Sequence, residues 1–161
     1  MFRKMRRFKQ QLSNDEALEI LKNCKSGVLA VSGDDGYPYT VPLIFVYKDG
    51  KIYFHCAKNG HKLDAIKQNK KVSFCVIEKD EVDSEKLTTL FRSVVVFGKA
   101  EIMENEEKIN SAMLSFGLKY NNDINAVKKE IERERSGLCC VEITIEHITG
   151  KQAIELLRKN M

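Results

Sequence analysis

Between Ser26 and Cys56 the chain reads SGVLAVSGDDGYPYTVPLIFVYKDGKIYFHC. Three runs rich in Val, Ile, Tyr, Phe and Thr are separated by Asp34-Asp35-Gly36 and by Asp49-Gly50. Asp-Gly pairs favour tight hairpin turns, because both positions tolerate the positive φ such turns need. The spacing predicts an antiparallel meander of three strands. Pro42 falls inside the middle run, and a residue without an N–H is confined to a sheet edge or a bulge.

Three further strands are read from composition and alternation: KVSFCVI, RSVVVFGKAEIM and LCCVEITIEHI. In the last, Cys139, Val141, Ile143 and Ile145 share one face, while Cys140, Glu142, Thr144 and Glu146 share the other. The acid-rich EKDEVDSEK between the first two of these has no period and reads as an exposed loop. Ser13 and Glu16 make a capping box that opens a helix over about 14–24. A second helix covers about 60–69, with Leu63 and Ile66 facing inward. Ile109, Ala112, Met113 and Phe116 mark a third helix by their spacing, and Ile124, Val127 and Ile131 a fourth. Thr149-Gly150-Lys151-Gln152 repeats the capping-box pattern and predicts a short last helix to about 159. Six strands joined mostly by hairpins give a mainly β fold with peripheral helices (α+β), a six-stranded antiparallel barrel that is closed or nearly so.

At 161 residues the chain is read as one domain, with residues 1–10 as a basic arm and 151–161 as the short C-terminal helix. No apolar run is long enough to cross a bilayer. The basic start MFRKMRRFK lacks the apolar stretch of a secretory signal, so a cytoplasmic location is expected. Of the positive charges, Arg3, Lys4, Arg6, Arg7 and Lys9 crowd into that start. No wider basic stripe or reading helix accompanies them, so they read as a solvated tail or an arm over a neighbouring subunit, with no nucleic-acid partner. The five cysteines show no CxxC spacing and read as free thiols, and no residue set has the spacing of metal ligands.

The stretch YFHCAKNGHKLDAI passes from strand to helix through Asn59, Gly60, His61 and Lys62. A helix starting near Gly60 leaves the N–H groups of residues 60–63 without intrahelical partners, at the positive end of its dipole. Gly60 admits a close approach to the backbone, Lys62 adds a charge and His61 an imidazole. Three readings stand at this point: a cradle for a phosphate or other dianion, a plain solvated loop, or a metal or acid–base role. His55 shares a strand face with Tyr53 and either lines a ligand slot or is a partly exposed polar residue. On the fourth strand Ser73 and Cys75 share a face, either flanking a ligand or packing as small barrel residues.

Taken in order, GYPYTVPL, YFHCAKNGHKLD and SVVVFGKAEI resemble the pyridoxamine 5′-phosphate oxidase-like split-barrel flavoproteins, and among them the nitroimidazole-resistance protein group. The resemblance runs from about Met5 to Lys151. It implies a six-stranded split barrel and a homodimer with FMN, in some members FAD or haem, in a groove between the subunits. It places Gly60, His61 and Lys62 at the flavin-phosphate corner, where the oxidases carry Ser-Arg-Lys. Lys62 matches their lysine, and His61 stands in for their arginine with a weaker charge. Thr40, Val41, Pro42 and Leu43 would run under the isoalloxazine ring, with His55, Cys56 and Ala57 at the strand end beside it and Ser73 flanking. The chain has no tryptophan, so the oxidases' substrate site is incomplete and pyridoxamine phosphate oxidation is not expected. The implied activity is an FMN-dependent reductase that uses NADH or NADPH on a small acceptor such as a nitroaromatic, with His55 as the candidate proton donor. The alternative is a non-catalytic flavin- or haem-binding storage or sensor protein.

Overall fold

The run YPYTVPLIFVYK does not form one strand. It divides at Phe45 into β2 (Pro38–Ile44) and β3 (Val46–Lys48), which lie at opposite edges of a single sheet. The computed structural model describes residues 1–159, and the side chains of residues 1–157. The other strands are β1 (Ser26–Ser32), β4 (Lys51–Ala57), β5 (Lys71–Asp83), β6 (Thr88–Ile102) and β7 (Leu138–Gln152), and the sheet order is β2-β1-β5-β6-β7-β4-β3, antiparallel throughout. Seven strands therefore stand where six are expected, and the three-strand meander does not form. The first half of the middle run pairs with β1 and the second half with β4.

This break makes the barrel. Because β2 and β3 are separated by one residue, the sheet must curl until its two edges meet at Phe45. Hydrogen bonds do not close it, so the architecture is a split barrel. Phe45 is fully buried and packs edge-on against Phe74, with ring centroids 5.0 Å apart. Its carbonyl accepts from Lys119 Nζ at 3.0 Å and from Tyr120 Oη at 3.1 Å, both at the end of α3 (Glu106–Tyr120). Pro38 and Pro42 sit on the edge strand, where a missing N–H interrupts no ladder.

Inside the curl, alternate residues such as Leu29, Phe54, Phe74, Val94, Val96 and Ile143 form one core. Helix α1 (Asn14–Asn23) adds Ile20 and Leu21, and α2 (His61–Gln68) adds Leu63 and Ile66. Ser13 and Glu16 form the capping box at the start of α1, with the Ser13 N–H 2.8 Å from Glu16 Oε2. A smaller cluster of Ile109, Met113 and Cys140 seats α3 on the outer side of β7, and α4 (Ile124–Glu134) packs beside it.

Two more expectations are corrected. The acid-rich segment is not a loop. Residues 79–83 pair with 88–92 as a hairpin extension of β5 and β6, after a bulge between Ile77 and Lys79. Its β5 strand is solvated, with Asp80, Glu81 and Val82 exposed, so it shows no apolar alternation, while Leu90 on the β6 strand is buried; Glu78 pairs with Arg92 at 2.6 Å beside it. Residues 149–152 do not cap a helix. They continue β7 opposite residues 92–95, and the last helix, α5 (Ile154–Lys159), starts two residues beyond Gln152. The β6 ladder has already claimed the backbone that the cap would use. Residues 160 and 161 lie outside the described part. The basic arm is also not free of the fold: Phe2 stacks on Phe97 and His147 at 5.6 and 4.7 Å, and Gln10 is buried.

Phe45→Ala empties the position where the two edges meet. A loss of about 3–5 kcal/mol is expected, as for other fully buried aromatic truncations. Urea or guanidinium unfolding measures it; a loss under about 1 kcal/mol would mean the corner does not hold the curl.

Candidate functional site

Beyond Phe45 the two edge strands part. The register of β3 on β4 ends at Val46 opposite Tyr53. Continued backwards it would set Ile44 against His55 and Pro42 against Ala57, yet no such pairs form. The outer edge of β2 and that of β4 beyond Tyr53 are both left without a strand partner. The two unpaired edges leave the barrel wall open beside Phe45. Thr40 to Leu43 form one wall, His55 to Ala57 the other.

Helix α2 starts four residues after β4 and lies at the open end. The His61 ring stacks on Tyr39 of β2, with centroids 4.2 Å apart, so the helix start touches the opposite wall. Gly60 is the N-cap at φ 138° and ψ 161°, a conformation essentially reserved for glycine. A Cβ there would meet nothing within 4 Å, so the glycine is required by its backbone angle and not by crowding. The Gly60 carbonyl accepts from the N–H groups of Leu63 and Asp64. No side chain among the described residues caps the helix, and the N–H groups of His61 and Lys62 stay available at its positive end. Burial pushes the Cys56 thiol up, and the nearby Lys62 partly offsets this. One acid opposes these donors, since Asp34 Oδ2 lies 3.6 Å from His61 Nε2. Asp34 offsets the charge of a protonated His61, which leaves Lys62 as the net cation of the corner.

The side chains along the walls point in different directions. Thr40 and Pro42 are exposed on the outer face, whereas Val41 and Leu43 pack toward the core. Ala57 is exposed at the strand end, and Cys56 turns toward Cys139 and the core. His55 faces the other way, edge-on to Phe116 at 4.6 Å, within a cleft of about 810 Å³. Ile44, Phe116, Tyr120, Val127 and Leu138 line that cleft with it. Burial pushes His55 below the ordinary imidazole value, so it is neutral over most of the physiological range. Ser73 is not at the opening. It lies two strands in from the β2 edge, joined to Thr40 through Ala30, on the outer sheet face beside Phe97.

The structure thus brings Thr40–Leu43, His55–Ala57 and Gly60–Lys62 around one opening and leaves Ser73 two strands in from it, on the outer face it shares with Thr40. Tyr39, Asp34, Ile44 and Phe116 escape sequence reasoning. Their local pattern says strand, turn and apolar stripe, and only the curl of the sheet shows what they meet. Among the described residues no group of three or more His, Cys, Asp or Glu is placed to hold a metal ion, and no helix is long and apolar enough to cross a membrane.

Residues 13–152 match the family model described as pyridoxamine 5′-phosphate oxidase. The chain belongs to the pyridoxamine 5′-phosphate oxidase family. Solved structures agree with the fold of that family. A candidate 5-nitroimidazole antibiotic resistance protein from Bacteroides thetaiotaomicron is 19% identical with a TM-score of 0.71, over 88% of this chain and 85% of that one. A conserved hypothetical protein from Mycobacterium tuberculosis reaches a TM-score of 0.81 at 21% identity, over 95% and 92% of the two chains. A FAD-binding protein from Mesorhizobium loti is 25% identical with a TM-score of 0.64, over 89% and 96%. No curated protein matches this member of the family.

Two outcomes test this geometry. Gly60→Ala has room for its methyl group but not the backbone freedom, so it costs about 1–3 kcal/mol of stability by denaturant unfolding; an unchanged midpoint would remove the strained corner. His55 is held below its unfolded value, so the unfolded chain takes up this proton more readily. Its contribution to stability is complete above about pH 6.5 and is lost as pH falls through the lower folded value. Urea midpoints between pH 8 and 5 should therefore fall less steeply in His55→Gln than in the unaltered chain.

Proposed function

We propose that the opening binds FMN and that the chain acts as a homodimeric NAD(P)H-dependent flavoprotein reductase of a small acceptor, such as a nitroaromatic. The observation that carries the reading is the corner at its mouth. A glycine-only N-cap, two backbone N–H groups without partners and one net cation face the end of a groove, and this donor set suits a phosphate monoester. The walls suit a flat heteroaromatic ring: both present unpaired strand edge, whose N–H and C=O groups can read polar atoms on a ring's rim. Family membership and the FAD-binding neighbour from Mesorhizobium loti support a flavin.

When bound, the flavin would supply the chemistry of accepting a hydride equivalent and passing electrons on. The chain supplies position and exclusion of water. Lys62 and the N–H groups of α2 hold the phosphate end, and Thr40 to Leu43 offer backbone to the ring. His55 is half-buried in the cleft, where its ring nitrogen can take up a proton from solvent and pass it to an acceptor at its surface; burial makes that protonated donor the minor form near neutrality. Ser73 takes its role from the dimer. With Ala30, Val28, Cys75, Val95 and Phe97 it makes a largely uncharged outer face that a second copy would cover.

The test starts with the absorption spectrum of the native protein and identification of any chromophore released by acid. FMN, or a melting temperature raised by added FMN, supports the site, because a ligand of the folded state must stabilise it. A colourless protein indifferent to FMN overturns it. Lys62→Ala removes a charge-assisted contact of about 1.5–3 kcal/mol, so FMN affinity falls roughly ten- to hundredfold. Turnover of NADH or NADPH with a nitroaromatic acceptor falls in His55→Ala while bound flavin is retained. Undiminished turnover there removes His55 from the reaction. The alternative cofactor, haem, would show its own absorption band and move attention to the histidines.

A further inference from the structure

The last residues of β4 and the first of β7 bring two thiols together. Cys56 is the direct cross-strand partner of Cys139. Directly opposed residues of an antiparallel pair point to the same face with Cα atoms about 4.5–5.5 Å apart, and a disulfide spans about 4.4–6.8 Å. Both side chains are half-buried at the rim of the core. The other cysteines are placed differently. Cys75 faces outward between Val28 and Val95. Cys140 points to the opposite side of β7, is buried under α3, and has its thiol pushed up to about 11 by that burial.

We propose that Cys56 and Cys139 are an oxidisable dithiol that closes to an intrachain disulfide by exchange with a small-molecule disulfide. Cys139 is the attacking group. Burial pushes both thiols up; at Cys139 this is partly offset by Lys67, Arg135 and Lys58, and attack by Cys56 first would give the same product. The Cys139 thiolate attacks one sulfur of the small disulfide, forming a mixed disulfide and releasing one thiolate. The Cys56 thiolate then attacks Cys139 Sγ and releases the second. Two protein thiols and one disulfide become one protein disulfide and two small thiols. The bond ties the end of β4 to the start of β7, four residues before Gly60. It needs only the β4–β7 register and stands whether or not the opening holds a flavin.

The test incubates the purified chain, with its flavin content measured, with oxidised glutathione, then alkylates and maps peptides. The expected product has lost the mass of two hydrogen atoms and links the peptide of Cys56 to that of Cys139. Closure quickens as pH rises, and a reductant reverses it. Cys140 shares a tryptic peptide with Cys139, so Cys140→Ala decides between them: the link must persist there and vanish in Cys139→Ser. In Cys139→Ser a glutathione adduct remains on Cys56, and in Cys56→Ser one remains on Cys139. Loss of the link in Cys140→Ala, adducts only on Cys24 or Cys75, or stable adducts on Cys56 and Cys139 without closure each overturn the proposal.

Discussion

The carbonyl oxygen of Phe45 is the point at which the sheet divides, and much of the molecule is arranged to satisfy it. Strand pairing cannot do so, because β2 and β3 leave Phe45 toward opposite edges. Two donors from the end of α3 meet it instead, Lys119 Nζ and Tyr120 Oη. The same ammonium donates to the Cys24 carbonyl and sits over the Phe45 ring at 4.3 Å, so helix α3, the entry to β1 and the corner are tied by one side chain. Partial burial pushes Lys119 below the ordinary ammonium value, and carbonyls and a ring face compensate the water its half-buried ammonium loses. The contact is local, yet it decides where the barrel stops being a barrel.

Dividing the sheet creates a liability that the fold turns to use. An unpaired strand edge normally invites another chain. Here two such edges confront each other across an opening too wide for hydrogen bonds, and prolines at residues 38 and 42 deprive one of them of donors. Helix α2 spans the mouth, held to the far wall by His61 on Tyr39. A ligand entering such an opening meets backbone polar groups already deprived of partners, so little structure has to be broken to bind it. This is a form of preorganisation, and it needs few special side chains.

That economy explains which parts were legible in the sequence. Strand runs, the Asp49-Gly50 turn, the Ser13–Glu16 cap and the apolar stripes of α3 and α4 are local patterns, and each forms where its residues predict. The break at Phe45 leaves no local mark: Ile44-Phe45-Val46 is as strand-like as any triplet in the chain. The acidic hairpin is missed for the opposite reason, since its solvated β5 strand, exposed at residues 80–82, loses the alternation by which strands are recognised. Thr149 to Gln152 carry a real capping pattern that loses to long-range pairing with β6. For the candidate site, the glycine corner and both walls are visible as sequence, while Ser73 shares their chemistry but not their place.

The corner also shows why one substituted residue changes what the site can hold. An arginine at position 61 would offer a permanent charge and a fork of donors. His61 offers neither, and its ring is already engaged with Tyr39 and near Asp34. It serves better as the strut that fixes α2 against β2 than as an anion ligand. The electrostatic hold on a dianion then rests on Lys62 and the helix N–H groups, one point charge and two fixed dipoles. A ligand with a single terminal phosphate matches that inventory. On the proposed reading, the corner holds one phosphate group by one point charge and two fixed dipoles, and the rest of the ligand has to be held by the strand edges.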